Sequence, residues 1–325
     1  MFRKLAFVLT ILAFLLAACG PVATLVPTDV PTNIPATLAP TSIPTAAALI
    51  FTDGLGREVK LAGPAQRIVS LAPSNTEILF AVGAGKQVVG RDDLSDFPAE
   101  TGSLPKIGGM DKYNTEQIVA LKPDLVLAAE INSPELVNSL ESLGLKVYYL
   151  SNPKTLEDMY TNLEIVSKLT GHEQETAALV ESLKARAAIV DEKIKSATSK
   201  PVVFYELDST DPAKPWTAGP GSFIDLLINR AGGVNLTSAA GIKDAYPQVS
   251  VEQIVSTNPD MIILGDSMWG VTVESVGLRP GWEKLKAVSG KQVFPFDDNL
   301  VSRPGPRLVD GLEALAKLLH PELYK

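Results

Sequence analysis

Apolar and polar positions along this chain follow two alternating rhythms. Short apolar runs predict strands at 68–71, 87–90, 125–129 and 147–150. Between them, positions recurring at helical spacing predict helices at 76–82, closing at Gly83, then at 114–121 and 134–143. Such βα alternation implies a parallel or mostly parallel sheet covered on both faces. After residue 150 the pattern changes. Residues 156–169 read as a helix that stops at Gly171, and 173–197 are helical throughout. Val180, Leu183, Ala187, Val190 and Ile194 form one apolar stripe in that second stretch. At 1.5 Å per residue it spans about 37 Å, long enough to pass from one lobe to another. A long surface helix packed on a single domain would carry the same stripe. The alternation then resumes, with strands predicted at 202–207, 261–264 and 293–296 and helices at 223–229, 251–256, 282–288 and 306–319.

The two halves echo each other. Glu116-Gln117-Ile118-Val119 recurs as Glu252-Gln253-Ile254-Val255, and Pro123-Asp124 as Pro259-Asp260, at the same offset of 136. An apolar strand follows each copy. Ser74, Leu79 and Gly85 are matched more weakly by Ser222, Leu227 and Gly233, at an offset of 148. A period this long indicates a duplicated domain rather than a solenoid. The expectation is α/β: a first βα lobe over 49–152, an interlobe helix region over 153–198, a second lobe over 199–325, and a cleft between the lobes where a ligand binds.

The first 48 residues belong to neither lobe. Arg3 and Lys4 precede an apolar run at 5–16, too short to span a membrane alone, which ends in Leu16-Ala17-Ala18-Cys19-Gly20. Small residues directly before a cysteine read as a bacterial lipobox: 1–18 is a signal peptide and Cys19 becomes the acylated N-terminus. A plain signal peptide with an incidental cysteine is the alternative. Residues 19–48 are rich in proline and threonine with one charge, Asp29, and read as a tether. The expected location is extracytoplasmic, lipid-anchored to the membrane, in a periplasm or on a cell surface.

Cys19 is the only cysteine, which excludes an intrachain disulfide and a cysteine-based zinc site. The chain has 29 basic and 37 acidic residues; removing the leader takes Arg3 and Lys4 and leaves 27 against 37, a net charge of −10. Without a basic cluster, nucleic acid is not an expected partner. His172 and His320 are the only histidines, both expected on the surface, so no catalytic constellation, metal site or resident cofactor is expected.

Two sets of residues stand out. Glu116 and Glu252 each fall in the first turn of a helix. An acid there gains about 0.3–1 kcal/mol from the helix dipole, which accounts for either one alone. Matched acids in both copies of a repeat also suit docking to a two-fold partner carrying basic residues. Tyr113 and Tyr246 precede the paired helices, Trp216 follows Glu206-Leu207-Asp208, Trp269 lies at a strand end, and Arg303 sits in Ser302-Arg303-Pro304-Gly305-Pro306-Arg307. Rings with apolar faces and polar tips suit a bulky organic ligand, or else they are core and hinge residues. Trp282 reads as packing.

These stretches carry a resemblance. Arg67-Ile68-Val69-Ser70-Leu71-Ala72-Pro73-Ser74-Asn75-Thr76-Glu77, the run from Asn114 to Val126, Tyr246-Pro247-Gln248-Val249-Ser250-Val251-Glu252, and Ser302 to Arg307 resemble the iron-complex and cobalamin class of periplasmic binding proteins. The likeness covers nearly all of 51–319. It implies two Rossmann-like lobes on one rigid helix (the class III fold), small lobe motion, and a monomer. By resemblance, Glu116 and Glu252 would meet arginines of the membrane subunits of an ABC importer, and the ligand would be a metal chelate bringing its own cobalt or iron. The stretch at Tyr246 looks most like cobalamin binders, where tryptophan often holds the first position. Haem binders often carry tyrosine where this chain has Gly109, although Tyr113 lies nearby. Arg303 and Arg307 are candidate anchors for an anionic siderophore. The order is corrinoid, then siderophore, then haem. A lipid-anchored hydrolase would need a nucleophile beside a base, which His172 and His320 are badly placed to supply, and an adhesive lipoprotein would leave the paired glutamates unexplained.

Overall fold

The computed structural model describes residues 48–110 and 112–325. The expected signal peptide, the lipidation expected at Cys19 and all but the last residue of the expected tether lie outside them.

The first sheet contains β1 (Ile68–Ser70), β2 (Val88–Arg91), β3 (Leu125–Ala129) and β4 (Val147–Leu150), all parallel, in the order β2-β1-β3-β4. The second contains β5 (Val202–Asp208), β6 (Val234–Asn235), β7 (Met261–Leu264) and β8 (Val293–Pro295), parallel in the order β6-β5-β7-β8. The order of the first sheet is repeated strand for strand. Trp216–Thr217 adds a short antiparallel piece to β5. Alternate residues of each strand enter different cores, as the period of two requires. Ile68, Leu125 and Leu127 face one side of the first sheet, and Val69, Val126 and Ala128 the other. In the second sheet Val203, Tyr205 and Ile263 face one side, and Phe204, Ile262 and Leu264 the other.

The duplication extends to the helix ends. Helix α1 covers Pro73–Ala81, α2 Thr115–Ala120, α3 Pro134–Ser142, α4 Leu156–Thr170, α5 Glu173–Ile194, α6 Phe223–Arg230, α7 Val251–Thr257 and α8 Leu308–Leu319. Helices α2 and α7 are the repeated pair. Asn114 caps α2 by accepting from Gln117 N, and Ser250 caps α7 by accepting from Gln253 N. Past their ends, Lys122 and Asn258 both take φ of 49°. Asp124 N then donates to Arg67 O and Asp260 N to Val202 O, each at 2.9 Å. Both contacts lie where β1 and β5 begin. The two helices therefore run antiparallel to their sheets, and Glu116 and Glu252 stand at the carboxyl edges.

The α5 stripe is buried as its spacing predicts: Val180, Leu183, Ala187 and Val190 are inside, and Ile194 is half-buried. Its 22 residues span about 33 Å. The core that takes this stripe is continuous from Ile68 and Leu127 of the first sheet to Val203 and Ile263 of the second. Helix α5 is further fixed to the second lobe by two arginines. Arg186 donates to Glu313 at 2.9 and 2.6 Å and to Asp310 at 2.5 Å, all three on α5 and α8. Arg230 of α6 donates to both carboxylate oxygens of Asp191 at 2.9 Å. A shared core with ionic anchors resists hinging, because moving one lobe would expose packed apolar surface.

One element is added and three expectations change. An antiparallel hairpin, Leu49–Thr52 with Glu58–Leu61, precedes the first sheet. Helix 282–288 contracts to Lys286–Ser289; Trp282 instead lies in a turn, fully buried, edge-on to Phe204 at 5.9 Å. Its packing role stands. His320 is fully buried rather than on the surface, with Nε2 3.3 Å from Gly232 O. His172 is half-buried, its Nε2 3.1 Å from Gln87 Oε1. Both imidazoles tie loops to helix ends. Among the described residues no helix is long and apolar enough to cross a membrane.

Candidate functional site

Seven of the eight strands of the two sheets, all but the short β6, bring their carboxyl ends or the residues just beyond to one region. Between the lobes lies a cavity of about 630 Å³, within the range of small-molecule sites. Ala72 follows β1, Asp93 follows β2, Glu130 follows β3 and Asn152 follows β4; Leu207 is the last residue but one of β5, Met268 follows β7 and Asp298 follows β8. Ligands in open parallel sheets bind outside the carboxyl ends of the strands, where the loops diverge.

The mouth is apolar and exposed. Leu94, Ile131, Tyr246, Met268 and Trp269 all line it. Trp269 is 77% exposed, an unusual state for the largest side chain in the repertoire. It ends a 3₁₀ turn at Gly265–Trp269, closed by Gly270 at φ 97°, a conformation only glycine adopts without strain. Gly265 lets that turn pass close: a Cβ there would lie 2.7 Å from the Tyr205 ring and 2.9 Å from Asp298 Oδ1.

The charges are mostly negative. Asp93, Asp96, Glu130 and Asp298 line the cavity, with Arg303 the single cation among the described lining residues. Arg303 is already occupied. Its Nη1 lies 3.0 Å from Glu77 Oε1 and 2.5 Å from Asp96 Oδ1. Burial raises the Asp96 carboxyl, but Arg303 beside it prevails and holds it below the usual carboxylate range. Arg307 also turns to Glu77, at 2.8 Å through Nε and 2.5 Å through Nη2, and stacks over Phe97 at 4.2 Å. Glu77 belongs to the first lobe and both arginines to the second, so this nearly buried cluster binds the lobes together at the cleft floor. Arg307 turns both Nε and Nη2 to Glu77, whereas Arg303 gives only Nη1 to Glu77 and Asp96, so two carboxylates balance its charge while its other nitrogens reach no closer than Leu94 O at 3.4 Å.

Glu130 Oε2 accepts from Asn152 N at 2.9 Å. Asp298 accepts from the Tyr205 hydroxyl at 2.8 Å, and burial pushes its carboxyl up. Tyr246 is pushed up to about 12, by burial first and then by the negative charges of Glu130 and Asp298. Its phenol therefore stays neutral at physiological pH. Among the described residues, no group of three or more histidine, cysteine, aspartate or glutamate side chains is arranged to hold a metal ion.

Tyr246, Trp269 and Arg303 thus converge on the cavity. Trp216 and Tyr113 are not among its lining residues. Trp216 lies on the short strand beside β5, 43% exposed. Tyr113 donates its hydroxyl to Leu71 O at 2.7 Å and accepts from Asn132 Nδ2 at 2.9 Å, bracing the loop after β1. Burial, followed by the charge of Asp92, pushes it up to about 12. Glu116 and Glu252 are exposed, each at the second position of its helix. Sequence reasoning missed Asp93, Glu130 and Asp298. Each stands one to three residues past a predicted strand, and that position is itself the signal.

Residues 68–300 match the family model described as periplasmic binding protein. The uncharacterized ABC transporter substrate-binding lipoprotein YvrC of Bacillus subtilis is 34% identical over 84% of this chain and 86% of its own length. The crystal structure of the periplasmic vitamin B12 binding protein BtuF of Vibrio cholerae superposes with a TM-score of 0.68 at 29% identity, over 81% of this chain and 99% of that one. The periplasmic heme-binding protein RhuT from Roseiflexus sp. RS-1 gives 0.72 at 28%, over 80% and 99%.

Proposed function

This chain belongs to the periplasmic binding protein family, and from that premise we propose that it is the extracytoplasmic, lipid-anchored subunit that delivers a corrinoid to an ABC importer. The observation that carries the choice of cargo is the charge of the cleft. Apolar side chains and four carboxylates share its lining, and the single cation among the described lining residues is bound to Glu77 and Asp96. A corrinoid offers a large flat face to Trp269 and Tyr246 and a periphery of primary amides, whose N–H groups donate to carboxylates. Haem and anionic ferric siderophores would bring carboxylates or catecholates to a surface of like sign. The relatives support the class: one is named a vitamin B12 binding protein and another a substrate-binding lipoprotein.

In this function the protein works as a monomer, tethered through Cys19. Glu116 and Glu252, equivalent by the repeat and exposed at the carboxyl edges, reach the importer's two membrane subunits. No step of chemistry is asked of the chain. The test is tryptophan fluorescence of the purified chain titrated with cyanocobalamin, a ferric hydroxamate siderophore and hemin, with calorimetry on each hit. Saturable binding of cyanocobalamin alone supports the corrinoid; preferential binding of hemin or the siderophore replaces it.

A further inference from the structure

We propose that Asp93 and Glu130, with Asp298 behind them, act as a charge filter that rejects macrocyclic chelates edged with carboxylates and admits those edged with amides. The proposal rests on the corrinoid reading of the cleft and assigns its selectivity to particular residues. The three carboxylates come from three different strand ends and from both lobes, yet all line one cavity. Asp93, Glu130 and Asp298 form no ion pair among the described residues, whereas Asp96 is neutralised by Arg303. Arg307, in the same loop as Arg303, is fixed bidentately on Glu77 outside the lining.

Two effects follow from that arrangement. Carboxylates are acceptors only, so a primary amide on the ligand edge gains hydrogen bonds that a ligand carboxylate cannot make. A ligand carboxylate is also repelled. At an effective dielectric near 20 and a separation of about 6 Å, one like charge weakens binding by roughly a hundredfold. Physiological salt screens part of that, so about tenfold is the floor. Glu130 and Asp93 are exposed and are the positions to alter; Asp298 is kept, since it holds the Tyr205 hydroxyl.

The experiment uses two matched pairs of probes: cyanocobalamin against its monocarboxylic acid, in which one side-chain amide has become a carboxylate, and hemin diamide against hemin. Affinities are measured by calorimetry on the purified chain. In each pair that binds, the amide form should bind at least about tenfold tighter than the acid. In the Glu130→Gln, Asp93→Asn double variant that gap should shrink to about threefold or less, with an unchanged melting temperature. Equal binding of amide and acid to the parent chain would overturn the filter, and so would an undiminished gap in the variant. If only the porphyrin pair binds and shows the gap, the filter stands and the corrinoid cargo falls. Silence of both pairs sinks both.

Discussion

Glu77→Gln removes one charge from the cleft floor and changes almost nothing else in shape. Glu77 is 2% exposed on α1 of the first lobe, and three guanidinium nitrogens from the second lobe donate to it at 2.5–3.0 Å. The amide keeps a single acceptor oxygen. Arg307 then has no carboxylate partner among the described residues, and Arg303 retains only Asp96. The side chains of both arginines are only 12–13% exposed, so water recovers little of the loss. Removing one member of a buried ion pair costs about 3–5 kcal/mol. The retained acceptor places this case near 3 kcal/mol. With an unfolding entropy of about 2.1 cal/mol/K per residue, the 277 described residues give roughly 0.6 kcal/mol/K, so the melting temperature should fall by about 5 °C. Circular-dichroism melts at pH 7 measure this directly. The control is Asp96→Asn, whose carboxylate is 66% exposed and whose loss should cost below about 1 kcal/mol, or less than 2 °C. A Glu77→Gln melt within 1 °C of the parent, or a drop no larger than the control's, would refute the view that Glu77 binds the lobes together.

All seven tyrosines are pushed above their ordinary range, burial being the largest cause for each, with Tyr113, Tyr148, Tyr160 and Tyr246 reaching about 12. The native chain therefore keeps phenolic protons that the unfolded chain releases near pH 10. Stability from this source is complete below pH 10 and declines as pH climbs toward 12. Tyrosinate absorbance rising below pH 10 while the circular dichroism stays native would contradict it. Trp269→Ala should weaken ligand binding by about tenfold or more and leave the melting temperature within 1 °C, because the side chain is 77% exposed. Trp216→Ala, outside the lining, should leave affinity within about threefold; the reverse pattern in calorimetry would relocate the ligand. The Glu116→Lys, Glu252→Lys double variant should abolish uptake in cells with an unchanged dissociation constant, and surviving uptake would remove the docking role.

Much of the architecture is legible in one dimension. The strands at 125–129, 147–150 and 261–264 coincide with the apolar runs, since a strand buried on both faces must be apolar throughout. The repeat at offset 136 foretold the matching sheets, because equivalent caps and strand starts need equivalent residues. The stripe on α5 announced which face enters the shared core. Polar capping residues and glycine exits give such elements local causes, and a local cause can be seen in a window of sequence.

The site was less legible. Tyr246, Trp269 and Arg303 were visible as aromatic or charged residues in the loops between predicted elements, but Tyr113 and Trp216 had the same look and lie outside the cavity lining. His320 gave no sign of burial, because its cover comes from Gly232, 88 residues earlier in the chain. Glu77 and Arg303 are 226 residues apart. Whether Arg303 greets a ligand or a glutamate depends on how two lobes meet, and no periodicity records that. The sequence alone determined the duplicated α/β lobes and the long helix between them, because these follow from local burial patterns. Only the tertiary structure decided the sign of the cleft, for net charge in a cavity is a sum over side chains from seven strand ends that meet only when the chain is folded.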